Sequence, residues 1–142
     1  MLPRFALPVP VRTNPTGGYA PGQRFRYRTR PGEEASRLLV NRVELAANGQ
    51  AVFHVSVSGV RIRNPHGEAG PATDLQHLPV SIRTLRESAL VPDGEARPNL
   101  RGEEGYLQWR KAAAQGKGGV FDLPLDRLVA YVEELLVRGR KE

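Results

Sequence analysis

The longest strictly alternating stretch of the chain runs over residues 22–30, with the sequence GQRFRYRTR. In a β-strand, successive side chains point to opposite faces of the sheet, so this stretch has one arginine face and one mainly aromatic face. The arginine face consists of Arg24, Arg26, Arg28 and Arg30, and the opposite face of Phe25, Tyr27 and Thr29. We therefore predict a first strand whose aromatic face lies in the core and whose arginine face is in solvent.

Two further strands are predicted over residues 37–45 and 51–63. The first, RLLVNRVEL, has apolar residues at both odd and even positions, which is typical of a central strand covered on both sides. Asn48 and Gly49 separate the two segments, and this pair favours a two-residue type I′ hairpin turn. The two strands are therefore expected to pair in antiparallel fashion.

The apolar phase of the third strand changes part-way along it. Phe53, Val55 and Val57 share one face, whereas the apolar residues that follow Gly59 are Val60 and Ile62. One extra residue, a β-bulge at Ser58 or Gly59, restores a continuous inward face. The polar face then holds His54, Ser56 and Ser58 before the phase change, and Arg61 and Arg63 after it. Six arginines on one solvent face form the candidate binding surface, which comprises Arg24, Arg26, Arg28, Arg30, Arg61 and Arg63.

After a turn-rich connection over residues 64–79, the hydrophobic period becomes helical. A helix capped by Ser81 is predicted to end before Pro92 and the Asp93–Gly94 turn. The later elements are a helix over 103–115 ended by Gly116, a short edge strand over 120–123, and a helix over 124–138 ended by Gly139. This order predicts an α+β fold, with an antiparallel sheet of three to four strands in the N-terminal half and about three helices packed on one face.

The chain is predicted to form one domain over residues 22–142, preceded by a Pro-rich extended arm over 1–21. The chain has 142 residues, 39% of them hydrophobic, which suits a single domain. The arm contains five of the twelve prolines and is expected to dock on the body or to contact a second copy of the chain.

The positive charge is concentrated in the N-terminal half. Residues 1–63 hold ten arginines and three glutamates, giving +7, and residues 64–142 hold eleven basic and twelve acidic residues, giving −1. Such a field attracts an acidic protein surface or a nucleic acid. The alternative interpretation is codon usage, because Arg outnumbers Lys eighteen to three.

The sequence predicts no catalytic, metal or cofactor site. There is no cysteine, and His54, His66 and His77 lack the spacing of a helical metal pair, so they are predicted to be solvent-exposed or in loops. The glycines around Lys117 lack the first Gly and the hydroxyl of a P-loop. Tyr106 and Trp109 continue into an apolar helical stripe, which indicates core packing rather than a stacking platform.

No segment has the length and apolarity of a membrane span or a signal peptide, so we expect a cytoplasmic protein that does not bind membranes.

Several stretches after residue 22 resemble a family of small bacterial proteins without an assigned function. They are GQRFRYRTRPGEEASRLLVNRVE, HVSVSGVRIRNP, HLPVS, EEGYLQWRKA and GKGGVFDLPLDRLVAYVEE. The resemblance implies one bacterial domain and assigns no activity, cofactor or site residue.

Three functions are compatible with these patterns. The first is a non-enzymatic module that binds an acidic protein through the arginine face. The second is nucleic-acid binding through the same face, although Tyr27 is expected on the opposite side from the arginines. The third is an enzyme with a cleft between sheet and helices, for which the candidate residues are His77, Asp74 and Glu104.

Overall fold

The computed structural model describes residues 14–139, which form an α+β domain with one antiparallel sheet and three helices. The fold class and the three helices are confirmed, but the sheet has five strands rather than three or four. The strands are β1 (Gln23–Arg26), β2 (Arg37–Leu45), β3 (Ala51–Ile62), β4 (Ala72–Val80) and β5 (Val91–Glu95). The helices are α1 (Ile82–Glu87), α2 (Glu103–Ala114) and α3 (Leu125–Arg138).

The five strands lie in the order β4-β3-β2-β1-β5, and each pairs with its neighbours in antiparallel fashion. The predicted β2–β3 hairpin is confirmed, but its turn is not type I′. Gly49 has φ +84° and donates to the carbonyl of Ala46 at 2.9 Å, whereas Asn48 does not have a positive φ. The loop is therefore a type I turn followed by a left-handed glycine, which also matches the twist of the strands.

The predicted bulge near Gly59 is present in β3. Val57 and Val60 are both 1% exposed, so the inward face changes parity between them. The pairing of β3 with β4 is irregular between Ser58 and Ile62, and Gly59 has φ +73°. As a result Arg61 and Arg63 are exposed, as the pattern predicts.

The two strands that the sequence analysis missed are at the two edges of the sheet. The segment predicted as a connection over 64–79 includes most of β4, and the predicted Asp93–Gly94 turn lies inside β5. Pro79 is tolerated in β4 because an edge strand needs ladder hydrogen bonds on one side only. Its carbonyl accepts from the N–H of Phe121 at 2.9 Å, and the strand predicted over 120–123 is reduced to an isolated bridge between Val80 and Phe121.

Helices α1 and α3 cover one face of the sheet and close the main core. Leu85 of α1 and Leu128 of α3 are fully buried there against the inward residues of β2 and β3. Ser81 caps α1 as predicted by accepting from the N–H of Thr84 at 3.2 Å. Gly139, with φ +72°, ends α3.

Helix α2 lies on the opposite face, so the prediction that all the helices pack on one face is wrong. Its Tyr106 and Trp109 side chains contact His54 edge-on, with ring centroids 4.8 and 4.6 Å away. His54 is consequently 2% exposed. Ser56 is 7% exposed and accepts from the side chain of Asn41, which in turn accepts from the backbone N–H of Asn99. The prediction that these two residues lie on a solvent face is therefore also wrong.

The described end of the predicted arm, residues 14–21, contains turns and contacts the core. The Tyr19 ring meets Phe25 and Phe53 edge-on, at 5.8 and 5.9 Å between centroids. Residues 1–13, on which the predictions of an extended arm and of contacts with a second copy mainly rest, lie outside the described residues. Between residues 14 and 139 no helix combines the length and the apolarity that crossing a membrane requires.

Candidate functional site

The six arginines predicted to share one solvent face are divided into two groups by ion pairing. Arg30 is partly buried and binds Glu33 through two hydrogen bonds of 2.9 and 2.7 Å. A third bond of 2.9 Å reaches Glu133 of α3, and Arg63 approaches the same carboxylate at 3.4 Å. Arg30 and Arg63 are therefore engaged in internal ion pairs.

Glu33 is the buried centre of this network, with 3% of its surface exposed. Burial alone would raise the pKa of Glu33, but the Arg30 guanidinium and the backbone N–H of Arg61, 2.7 Å away, lower it below its usual range. Glu133 has a lowered pKa chiefly because it accepts from the backbone N–H of Arg63 at 2.8 Å. Both carboxylates are thus held ionised. Glu33 joins the segment before β2 to the bulged end of β3, and Glu133 joins α3 to the same end.

The predicted first strand over 22–30 is shorter in the structure, because β1 ends at Arg26. The remaining exposed arginines of this segment are Arg24 and Arg26 of β1 and Arg28 just beyond its end, and these three are here named the arginine row. Arg24 donates to the backbone carbonyl of Asp93 at 2.9 Å and lies 3.8 Å from its carboxylate. Arg28 lies 3.8 Å from Asp126. Within residues 14–139, the side chain of Arg26 has no ion-pair partner, and neither has that of Arg61.

Asp93 of β5 is a carboxylate that borders the arginine row. Its strongest contact is with Arg37, whose Nε lies 2.5 Å away. Hydrogen bonding by Arg37, with weaker attraction from Arg24 and Arg26, lowers the pKa of Asp93. Three guanidinium groups therefore act on one carboxylate, and this part of the surface stays positive.

A second cluster, which sequence reasoning missed, lies between the sheet and α2. The Nδ1 atom of His54 and the Nε2 atom of His77 are 2.9 Å apart, and the two rings are inclined by 13°. His54 is 2% exposed and His77 is partly buried. The prediction of exposed or loop histidines is wrong for these two, because β3 and β4 place them side by side beneath α2, whereas His66 is exposed in a loop.

Charged groups of β2 border this histidine pair. Glu44 Oε1 is 3.1 Å from His54 Nε2, and neither atom has an aligned hydrogen-bond partner. The Arg42 guanidinium stacks 3.9 Å from the centre of the Tyr106 ring and pairs with Glu103 at 3.1 Å. A carboxylate and a guanidinium thus lie close to His54.

Burial beneath α2 makes both histidines weaker bases. It lowers the pKa of His54 to about 4, with a further contribution from His77, while Glu44 acts in the opposite direction. Burial also lowers the pKa of His77. Burial, followed by the influence of Glu44, raises the pKa of Tyr106. The pair is therefore neutral near pH 7.

The cavity beside the histidine pair has a volume of about 30 Å³, which is room for one or two water molecules. Its amide groups already bond one another: Asn99 donates from its backbone N–H to Asn41 and from its side chain to Gln76. A cavity of this size has no space for a substrate. Within the described ranges, no three or more His, Cys, Asp or Glu side chains are placed to hold a metal ion.

The three residues named for an enzyme do not meet in a cleft. His77 lines the small cavity, Asp74 lies 3.9 Å from Arg101 in an ion pair, and Glu104 is exposed on α2. They therefore do not form a common constellation.

Comparison with protein-family models, with curated proteins and with solved structures gives no match.

Proposed function

We propose that the protein is a non-enzymatic binding module and that its arginine row holds an acidic segment of a partner protein. The observation that carries the proposal is the Arg26 guanidinium, which is exposed and has no ion-pair partner within residues 14–139. Arg24 and Arg28 flank it. Each donates one hydrogen bond to a backbone carbonyl, that of Asp93 at 2.9 Å and that of Glu87 at 2.8 Å, and their carboxylate contacts are long, at 3.8 Å. Donor groups are therefore available to an incoming anion.

The spacing of the row suits an extended acidic peptide. Alternate residues of a strand are about 6.6–6.8 Å apart, and a peptide in extended conformation repeats its side chains at the same distance. A guanidinium group presents a planar pair of donors that matches a carboxylate in two-point contact. Acidic residues at alternate positions of a partner segment would thus meet Arg24 and Arg26 of β1 in register, and Arg28 would add a third contact just beyond the end of the strand.

The same surface is less suited to single-stranded nucleic acid. Such sites combine basic groups with aromatic rings on which bases stack. Tyr27, the aromatic residue inside the row, is 8% exposed and its hydroxyl bonds Ser36 on the core side at 2.7 Å. The row therefore offers charge without a stacking partner, which favours carboxylates over nucleobases.

The proposal predicts that reversing two charges of the row abolishes binding to an acidic peptide. We expect Arg26→Glu combined with Arg28→Glu to weaken binding of a fluorescent peptide of alternating Glu and Ser at least tenfold at about 50 mM salt, because repulsion replaces two ion pairs. The measurement is fluorescence anisotropy with the full chain. Arg26 is exposed and has no ion-pair partner among the described residues, so its reversal should change the stability by only about 0.5 kcal/mol. Reversal of Arg28 also removes a hydrogen bond to the Glu87 carbonyl and an ion pair with Asp126, so it should cost about 1 kcal/mol or more.

A matched control reverses two charges elsewhere. Arg110→Glu with Lys111→Glu changes the net charge by the same amount on exposed positions of α2 and should leave most of the binding intact. Equal losses in the two double variants would mean that binding depends on net charge alone, which contradicts the proposal. Stronger binding to an oligonucleotide than to the peptide, increasing with its length, would favour the nucleic-acid function instead.

A further inference from the structure

Helix α2 is anchored by few apolar side chains for its length of 12 residues. Tyr106 is its one buried residue within the described chain, whereas α3 buries Leu125, Leu128 and Val129. Leu107 on α2 is 50% exposed. Segments with few buried apolar contacts open at a lower free energy than the rest of a domain. Separation of α2 from the sheet therefore requires less free energy than unfolding of the core.

The contacts that do hold α2 are centred on the two histidines. Tyr106 and Trp109 lie edge-on to the His54 ring, at 4.8 and 4.6 Å between centroids. The start of the helix lies directly on β4, where a Cβ atom at Gly105 would be 3.2 Å from His77 Cβ. The docked position of α2 thus depends on contacts with two imidazole rings, those of His54 and His77, which can take up protons.

The geometry of the pair limits how many protons it accepts. In the neutral state one of the facing nitrogens, His54 Nδ1 or His77 Nε2, donates to the other across 2.9 Å. If both rings are protonated, two N–H groups face each other at that distance and both rings are cations. A docked pair therefore holds at most one added proton without moving apart.

The charged surroundings do not compensate for a second cation. On β2, Glu44 faces His54 at 3.1 Å, but Arg42 lies beside the same cluster and opposes a positive charge. On α2, Glu103 lines the cavity but is already paired with Arg42 at 3.1 Å, and Tyr106 is neutral near pH 7. One carboxylate, Glu44, is thus left to balance two imidazolium groups.

We propose that the contact between α2 and the sheet is an acid-sensitive latch, in which protonation of the His54–His77 pair releases α2 and exposes the Tyr106–Trp109 face. In the released state both rings are in water and titrate near the ordinary value of about 6.5. In the docked state burial lowers the pKa of both, to about 4 for His54. The released state therefore binds more protons below pH 6.5, so acid shifts the equilibrium towards it.

The latch is tested by amide hydrogen exchange between pH 7.5 and 4, with rates corrected for the intrinsic effect of pH. We expect the protection of α2 amides to fall at least tenfold between pH 6.5 and 4.5, while amides of β2 and β3 keep theirs. Trp109, the only tryptophan of the chain, gives a second signal, because its emission should shift to longer wavelength in the same range. Loss of protection in β3 at the same pH would indicate unfolding of the whole domain and overturn the proposal.

Two matched variants distinguish protonation of the His54–His77 pair from other effects of acid on the protein. His54→Gln with His77→Gln keeps polar groups in place but takes up no proton, so its α2 protection should not depend on pH in this range. His66→Gln removes the exposed histidine and should behave like the wild type. An unchanged transition in the double variant would refute the latch. If the double variant does not fold, NMR titration of wild-type His54 and His77 decides the matter: their midpoints must coincide with the α2 transition, and midpoints that differ refute the proposal.

Discussion

Replacement of Glu33 by alanine is expected to destabilise the protein by about 3–5 kcal/mol, the usual cost of removing one partner of a buried ion pair. Glu33 is 3% exposed and accepts three hydrogen bonds, two from Arg30 and one from the backbone N–H of Arg61. Without this carboxylate, a partly buried guanidinium keeps Glu133 as its carboxylate partner, and the Arg61 N–H loses its acceptor. The free energy of unfolding in urea measures the loss.

The neighbouring Glu34 provides the control for this variant. It is exposed, and its carboxylate accepts from the backbone N–H of Gly32 at 3.1 Å. Glu34→Ala removes the same charge and should cost less than about 1 kcal/mol. If the two variants are equally stable, the network around Arg30 does not stabilise the fold. Arg30 would then again be a candidate residue of the binding surface.

The same network gives the stability a defined response to acid. The folded-state pKa values of Glu33 and Glu133 lie below the ordinary 4.5, so their stabilising contribution is present above pH 4.5 and is lost as the pH falls through the folded values. Glu33→Gln should therefore flatten the dependence of the urea midpoint on pH below 4.5. The histidine latch begins to act near pH 6.5, so its onset lies about two pH units above that of the carboxylate effect, and the range between pH 6.5 and 4.5 reports on the latch.

Local signals in the sequence were sufficient for the parts of the fold that depend on neighbouring residues. The bounds of β2, the hairpin at Gly49 and the Ser81 cap all follow from short-range turn and capping chemistry. The edge strands β4 and β5 were missed because proline and charged residues interrupt their alternation, and such residues are tolerated where one side of a strand is unpaired. The position of α2 depends on which face of the sheet the other helices leave uncovered. No local sequence pattern indicates that face.

The candidate site, too, could be predicted from the sequence only where it depends on neighbouring residues. The strand alternation predicted that Arg24, Arg26 and Arg28 are exposed, but Glu133, the carboxylate that Arg30 and Arg63 share, is far away in sequence. The acidic residues of the C-terminal half face the arginines of the N-terminal half, so the charge asymmetry along the chain is partly neutralised in the fold. The His54–His77 contact joins residues 23 positions apart, and no motif spacing indicates it.

The bulge in β3 positions the backbone N–H groups that hold Glu33 and Glu133, and Gly59→Ala tests how strictly the bulge needs glycine. Gly59 has φ +73°, where an L side chain costs about 1–2 kcal/mol. A Cβ atom there would also lie 3.0 Å from the Cα of Ser36 and 3.2 Å from the carbonyl oxygen of Ala35, so overpacking adds about 1–3 kcal/mol. We expect a total loss of about 2–5 kcal/mol.

Gly32→Ala separates the two contributions, because Gly32 has φ +87° and no atom within 4 Å of the added Cβ. This variant should lose only the conformational part, about 1–2 kcal/mol. A larger loss at Gly59 than at Gly32, measured by urea unfolding, would show that close approach to Ser36 fixes the bulge. That approach also keeps the Ser36 hydroxyl 2.6 Å from the carbonyl of Ser58, so Gly59→Ala should weaken the Glu33 network as well. Additive losses in the Gly59→Ala and Glu33→Ala double variant would contradict this coupling, whereas a total smaller than the sum of the two single losses is expected.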